Sequence, residues 1–324
     1  MVTGATGLIG SLIIKGFICH NEHYASKIKV IALARNPEKV KEIYRDYESD
    51  NGEIPYVDFY YQDICAPISD SIKCDYIIHT ANSTTSKYFI TNPVDVIESI
   101  YTGTKRILEY AVKNDSKGVV YLSSMEVFGR VSTENRINEQ ELGYIDIQNV
   151  RSCYSEGKRL AECLCKSYAS QYGVPVKVAR LAQTFGAGVL PTENRVFAQF
   201  LKSALKGENI VLHTKGLSVG NYCYTADAIR AILLLLNSGE NGEAYTVVNE
   251  ETTMTIADMA KLVADNFSGG SSKVVFDIPE SNSFGYAPDT KMRLSAQKLC
   301  DLGWRPTVSL SEMYKRMIPD LKGE

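Results

Sequence analysis

Three regularly spaced glycines in Thr3-Gly4-Ala5-Thr6-Gly7-Leu8-Ile9-Gly10 constrain this chain more than any other stretch. A largely apolar run from Leu12 to Ile18 follows them, so the glycines form a turn that feeds directly into a helix. Glycine lets a backbone approach a pyrophosphate closely, and the free N–H groups at a helix start favour its negative charge. Such patterns are weak alone. Here Lys29-Val30-Ile31-Ala32-Leu33 reads as a second strand about one βαβ half-unit later, the context a dinucleotide-binding fold requires. Gly4, Thr6, Gly7, Leu8, Ile9 and Gly10 are therefore candidate phosphate-binding residues. A buried first strand is usually longer than Met1-Val2-Thr3, and the expectation is that the natural chain carries a segment ahead of Met1.

The alternation continues. After the second strand comes Ala34-Arg35-Asn36, where an acidic residue would usually bind the adenosine ribose; Arg35 suits a 2′-phosphate or stacking on adenine, which leaves NAD and NADP both open. A third strand ends at Tyr60-Tyr61-Gln62-Asp63-Ile64 and brings Asp63 and Ile64 to the adenine side. A fourth, Asp75 to His79, runs into the small residues Thr80-Ala81-Asn82, against which a cofactor can lie. His79 reads as a strand-end packing residue, because no second histidine stands at ligand spacing. Pro93 to Lys113 is helical, with Val94, Ile97, Ile100, Ile107, Leu108 and Ala111 in the apolar pattern. Val119 to Leu122 is a fifth strand and ends in Ser123-Ser124-Met125-Glu126-Val127-Phe128-Gly129, and Val174 to Leu181 is the next. Alternating strands and helices specify an α/β fold with a doubly wound, Rossmann-type parallel sheet over residues 1–182. Beyond Gln183 the rhythm changes, and residues 183–324 are expected to form a smaller, partly interleaved α/β substrate domain.

Candidate chemistry lies in Arg151-Ser152-Cys153-Tyr154-Ser155-Glu156-Gly157-Lys158-Arg159. Residues four apart share one face of a helix, so Tyr154 and Lys158 stand side by side. A tyrosine normally keeps its proton to a pKa of about 10, and a neighbouring ammonium favours the phenolate, making Tyr154 a usable base near neutral pH. The ammonium also suits a cofactor ribose. With 20 Tyr and 35 Lys plus Arg in the chain, the spacing carries little weight without the glycine turn and the Ser124 strand end.

Composition removes other classes. The chain has 324 residues, 44% hydrophobic, 23% charged and a net charge of −3. That balance gives no broad attraction to nucleic acid or to an acidic membrane surface. Eight cysteines without paired metal spacing and four scattered histidines point to no metal and to reduced thiols in a cytoplasmic protein. The apolar run Ile229 to Leu236 is too short to span a bilayer.

Taken together, the glycine turn, Ser123-Ser124-Met125-Glu126-Val127-Phe128-Gly129 and Tyr154-Ser155-Glu156-Gly157-Lys158 resemble the extended short-chain dehydrogenase/reductases that act on nucleotide sugars. Asn221-Tyr222-Cys223-Tyr224-Thr225-Ala226-Asp227 and Leu302-Gly303-Trp304-Arg305-Pro306 extend the resemblance over nearly the whole chain. Ser-Cys-Tyr-Ser-Glu-Gly-Lys-Arg is most similar to the UDP-glucuronate decarboxylase branch, with dTDP-glucose 4,6-dehydratases next. The resemblance implies tightly bound NAD and a transient 4-keto sugar, with Ser124, Glu126, Tyr154 and Lys158 catalytic. It places Thr85, Ser124, Met125, Gln183, Asn221, Tyr222 and Arg293 at a nucleotide-sugar substrate. The dehydratases use an Asp–Glu pair after the serine or threonine as acid and base. Glu126 matches the base, but Met125 cannot donate a proton, so decarboxylation leads, with 4-epimerisation and 4,6-dehydration as alternatives.

Three positions depart from the family pattern. Gly220 stands where an Arg grips the diphosphate, no Arg precedes Pro288-Asp289, and Gln183 replaces a common Asn. Lys291 or Arg293 are possible substitutes. A homodimer is implied through a four-helix interface built from Pro93–Lys113 and Ser152–Tyr172. The reading from another class is a non-catalytic dinucleotide-binding sensor or scaffold, which Gly220 favours and the Ser-Tyr-Lys set opposes.

Overall fold

The computed structural model describes residues 1–131, 133, 135–279 and 290–323, so Pro288-Asp289 lie outside the described residues. Two compact units are present. The first comprises Met1–Gly129, Tyr144–Arg180 and Ile229–Tyr245, and the second Arg130–Gly143, Leu181–Ala228 and Thr246–Glu324.

In chain order the first unit opens with β1 (Val2–Thr3), α1 (Leu8–His23), β2 (Val30–Ala34), α2 (Pro37–Tyr44), β3 (Val57–Tyr61) and β4 (Tyr76–His79). It continues with α3 (Ser86–Thr91), α4 (Pro93–Lys113), β5 (Gly118–Ser124), α5 (Ser152–Tyr172) and β6 (Val176–Leu181). There follow β7 (Gln183–Phe185), α6 (Val196–Leu205), β8 (Ile210–Leu212), β9 (Val219–Tyr224), α7 (Thr225–Ser238) and β10 (Ala244–Val247). The chain ends with β11 (Asn249–Thr255), α8 (Ile256–Phe267), β12 (Val274–Phe276), α9 (Gln297–Asp301) and α10 (Leu310–Lys322).

Among the described residues a seven-stranded sheet runs β10-β6-β5-β4-β1-β2-β3. The neighbours β1, β2, β3, β4 and β5 pair in parallel. All five residues of β2 are buried, as a strand covered on both faces must be. The order reverses beside β1, and in open α/β sheets a ligand crevice forms where it does, outside the carboxyl ends of the strands. Only Val2 and Thr3 form β1, but both pair on each side, with Ala32–Leu33 and with Ile78–His79.

Helix α4 starts with Pro93 at its first turn, where a missing N–H costs nothing. Helix α5 stops at Gly173, whose φ of 67° ends the helix in the left-handed region. The two pack closely: a Cβ added at Gly157 would lie 3.1 Å from Ile100 Cδ1.

In the second unit β9 pairs antiparallel with β11 and parallel with β7, and β12 pairs parallel with β8. Its aromatic core stacks Phe185 on Phe197 at 4.2 Å, with Tyr314 at 5.1 Å from Phe185. The segments around Asp227 and Trp304, distant in sequence, meet here. Trp304 Nε1 donates to the Asp227 carbonyl at 3.0 Å, and the Asp227 carboxylate accepts from Thr307 N at 2.9 Å. All eight cysteines are free thiols.

Candidate active site

The glycine turn is shaped by contacts that leave no room for a side chain. Gly4 has φ +68°, and a Cβ there would lie 2.7 Å from Thr80 Oγ1; at Gly10 it would lie 2.4 Å from the Gly4 carbonyl oxygen. Tyr44, fully buried at the end of α2, donates its hydroxyl proton to the Ala5 carbonyl at 2.6 Å. Thr3 closes the other side: its Oγ1 accepts from Thr80 N and Ala81 N, both at 3.2 Å, and Thr80 Oγ1 donates to the Thr3 carbonyl at 2.7 Å. Two accepted bonds leave the Thr3 proton for His79 Nδ1, 2.8 Å away. His79 is wholly buried and burial pushes its pKa down to about 3, so it is a neutral packing residue.

Above the turn lies a cavity of about 1060 Å³, and Gly4, Thr6, Gly7, Arg35, Asn36, Asp63, Ile64, Thr80, Ala81, Asn82 and Thr85 all line it. Leu8, Ile9 and Gly10 form the first turn of α1 behind it. Asn36 caps α2 by accepting from Lys39 N at 2.9 Å, and Arg35 pairs with Asp63 at 3.7 Å. Asp63 also accepts from Cys65 N, and these bonds hold its carboxyl below the usual carboxylate range. Gln62 Nε2 and both side-chain polar atoms of Asn82 are buried without a hydrogen-bond partner, although both residues line the cavity. Unmet buried donors and acceptors are costly and suit a polar ligand. A glycine cradle, a helix start and these unmet groups fit a dinucleotide.

The second cluster sits at the end of β5 and on α5. Ser124 is half-buried, and its Oγ accepts from Glu126 N at 3.2 Å, capping the short 3-10 turn Met125–Phe128. Tyr154 is 6% exposed and stacks on Phe89 of α3, with ring centroids 4.3 Å apart. Lys158 is 2% exposed, donates to the Leu122 carbonyl at 2.7 Å and lies 5.7 Å from the Tyr154 ring centroid. It also sits 4.7 Å over the Tyr121 ring. Burial pulls its pKa down to about 7, against opposing pulls from Glu162 and Cys165. A lysine poised there gives or takes a proton with little cost at neutral pH.

Glu126 is engaged. Arg151 grips both of its carboxylate oxygens at 2.8 Å, and Ser155 Oγ donates to one of them at 3.0 Å. This bidentate bond raises the Arg151 pKa. Met125 is half-buried beside it.

The remaining sequence-derived substrate residues fall in the second unit. Gln183 is half-buried on β7, in register with Tyr222. Asn221 is 1% exposed and spends its side chain internally, donating to Thr253 Oγ1 and accepting from Leu294 N at 2.7 Å. Tyr222 is also 1% exposed, its pKa pushed up to about 12 by burial. Arg293 is exposed, and its carbonyl accepts from Ile137 N at 2.7 Å. Sequence reasoning missed Tyr44, Gln62, Arg151, Ser155, Glu162 and Arg180. Arg151 and Ser155 flank Tyr154, so a test for ion-pair partners of Glu126 would have reached them; Tyr44 and Arg180 carry no local signal.

Fold and site together define an α/β dinucleotide-binding protein with a Ser-Tyr-Lys set whose tyrosine and lysine are buried. The sequence matches the model of the NAD dependent epimerase/dehydratase family over residues 1–249, and the chain belongs to that family. It is 29% identical over 247 residues to UDP-glucuronic acid decarboxylase 1 of Danio rerio, covering 76% of this chain and 57% of that protein. The chain thus spans little more than half the length of that relative. It is 26% identical over 327 residues to UDP-glucuronic acid decarboxylase 6 of Arabidopsis thaliana, covering 99% of this chain and 88% of the relative. The fold matches the crystal structure of a dTDP-glucose 4,6-dehydratase from Streptomyces venezuelae with NAD bound, with TM-score 0.79 and 23% identity over 100% of this chain and 96% of that one. Among the described residues, no helix is long and apolar enough to cross a membrane.

Proposed function

We propose that this chain is a cytoplasmic nucleotide-sugar enzyme that works through a transient 4-keto intermediate, and that it decarboxylates UDP-glucuronate. The observation that carries the reading is the buried Tyr154–Lys158 pair, tied through Lys158 to Leu122 two residues before Ser124, on the same unit as the dinucleotide-shaped cavity. Tyr154 takes the proton of the sugar 4-hydroxyl while Ser124 holds that oxygen, and Lys158 stabilises the phenolate. The nicotinamide, when bound, supplies an acceptor for the C4 hydride and returns it at the end of the cycle. The glycine turn, Arg35, Asn36, Asp63, Ile64 and Thr80 to Asn82 hold the cofactor. NAD is favoured, because a 2′-phosphate brought to Arg35 would also meet its partner Asp63.

The ion pair at Glu126 supports decarboxylation over dehydration. Dehydration needs a free base for the C5 proton and an acid for the departing hydroxyl; Glu126 is held by Arg151 and Ser155, and Met125 has no proton to give. A 4-keto uronate needs no base. Its C5–C6 bond breaks, carbon dioxide leaves, the electron pair passes to the C4 oxygen as an enolate, and a proton returns to C5. The same occupied Glu126 is compatible with a second reading, 4-epimerisation, which needs only Tyr154, Lys158 and Ser124. Residues 183–324 would then bind the nucleotide sugar. A second copy of the chain would cover the exposed apolar side chains Val94, Ile97 and Tyr101 of α4 and Leu160 of α5, giving the homodimer.

Mass spectrometry of UDP-glucuronate and neutral dTDP-, UDP-, GDP- and CDP-hexoses incubated with the protein and NAD tests this. The expected result is loss of carbon dioxide from UDP-glucuronate, abolished by Tyr154→Phe with NAD binding retained. Loss of water from a neutral hexose would replace the reading with a dehydratase. A changed NMR spectrum at unchanged mass would replace it with an epimerase, and dinucleotide binding without any sugar-nucleotide conversion with a non-catalytic sensor.

A further inference from the structure

Lys158 is not the only charge buried at the end of β5. Glu162, one helical turn further along α5, has an 11% exposed side chain and pairs with Arg180 of β6, 6% exposed, at 2.7 Å. Arg180 Nε also donates to both Glu162 oxygens at 3.1 Å, and the guanidinium lies 5.0 Å over the Phe128 ring. Ser123 donates its hydroxyl proton to the same carboxylate. Leu122 and Ser123 are thus tied to Lys158 and Glu162, and the next residue is Ser124. A buried ion pair is a poor stabilising device: well-packed apolar residues serve as well or better, whereas losing one partner is severely destabilising.

The groups facing Lys158 are few. Its own helix presents Tyr154, Glu162 and Cys165, β5 presents Tyr121, and β4 presents His79. His79 is neutral, and burial pushes the Cys165 thiol and the Tyr121 hydroxyl up, so both keep their protons. Glu162 is the one carboxylate among them. We propose that Glu162 is a positioning residue: its carboxylate, held by Arg180, keeps Lys158 charged inside a dry site and, through Ser123, fixes the strand end that carries Ser124. The inference rests on Tyr154 and Lys158 being the proton-transfer pair.

The experiment is an NMR titration of the full chain carrying lysine labelled with ¹³C at Cε, in the wild type and in Glu162→Gln, with Lys158→Met assigning the resonance. In Glu162→Gln the Lys158 midpoint is expected to fall by about one pH unit, a roughly tenfold smaller ratio of charged to neutral amine at any given pH. The alkaline limb of the kcat profile on the sugar nucleotide moves down with it, while KM stays. An unchanged midpoint overturns the proposal whatever the turnover. A shifted midpoint in a protein that converts no sugar nucleotide supports the electrostatic role and sinks the catalytic reading instead. Should Glu162→Gln fail to fold with Arg180 left buried and unpaired, Glu162→Gln/Arg180→Met leaves no orphan charge and is read the same way. A smaller downward shift is expected, because the Arg180 cation that partly offsets the Glu162 carboxylate is removed with it, and its absence overturns the proposal.

Discussion

Replacing Lys158 with methionine should make the protein more stable and inactive. Burial takes the pKa of Lys158 from the ordinary 10.5 to about 7, with the side chain 2% exposed. At about 1.4 kcal/mol for each pH unit, that gap costs the fold about 5 kcal/mol wherever the folded and unfolded chains both hold the proton. Below pH 7 the whole penalty is present. Between 7 and 10.5 the unfolded chain keeps a proton that the folded chain has released, so stability climbs with pH, and above 10.5 the penalty is gone. Methionine keeps most of the buried stem but gives up the bond to the Leu122 carbonyl and the contact over Tyr121. Those losses are worth about 1–3 kcal/mol together. The net expectation is a gain of about 2–4 kcal/mol near pH 6 that shrinks, and reverses sign, as the pH approaches 10. Urea unfolding of wild type and Lys158→Met at pH 6, 8 and 10 reads this directly as the separation of the midpoints. Midpoints that stay equally spaced at every pH would refute the argument, because a pH-independent difference cannot come from a titrating lysine.

Other perturbations follow from the geometry. Gly10→Ala drives a Cβ to 2.4 Å from the Gly4 carbonyl oxygen, and overpacking of this kind costs about 1–3 kcal/mol, so NAD titrated by calorimetry should bind roughly five- to hundredfold more weakly; unchanged affinity would contradict the cradle. Tyr44→Phe removes the 2.6 Å bond to the Ala5 carbonyl and should cost about 1–2 kcal/mol, with part of the loss appearing in a thermal-shift assay as a smaller NAD-induced rise. Arg151→Gln unclasps Glu126; because a charge-assisted bidentate bond is worth about 1.5–3 kcal/mol, urea unfolding should show a stability loss of that order while NAD affinity holds. An unchanged unfolding midpoint would show that the clasp adds nothing to the fold.

How legible these features were depended on their range along the chain. The residues that line the cavity form short contiguous runs, each after a strand, so composition and period were enough to group Gly4 to Gly7 with Asp63 and Thr80 to Asn82. Helix α4 was readable to its ends, since Pro93 opens it and apolar residues recur on one face. The two-residue strand β1 looked too short for a central position, yet hydrogen bonding on both edges holds it there. Strand β11 escaped notice because its residues are largely polar, and strand β9 because Gly220 and Asn221 interrupt its apolar residues, with Asn221 satisfied by Thr253 and Leu294, dozens of positions away. Helix α3 is six residues long, and little in Ser86–Thr91 announces that Phe89 will stack on Tyr154.

Charge partners were the least legible feature, for a physical reason that bears on mechanism. A motif fixes which titratable groups exist, whereas their protonation depends on what surrounds them after folding. Glu126 read alone is a base; folded, it is spoken for by Arg151 and Ser155. Lys158 read alone is a permanent cation; folded, it titrates near pH 7 because the unit that buries it strips away water, and one carboxylate, Glu162, offsets part of the loss. Arg180 in turn keeps that carboxylate from being an unpaired buried charge. The chain of dependence runs from β6 to α5 to β5, so a change at Arg180 should reach Lys158 and Ser124 without touching either. That is why the titration of one lysine, followed in variants at Glu162 and Arg180, separates an electrostatic device from ordinary packing.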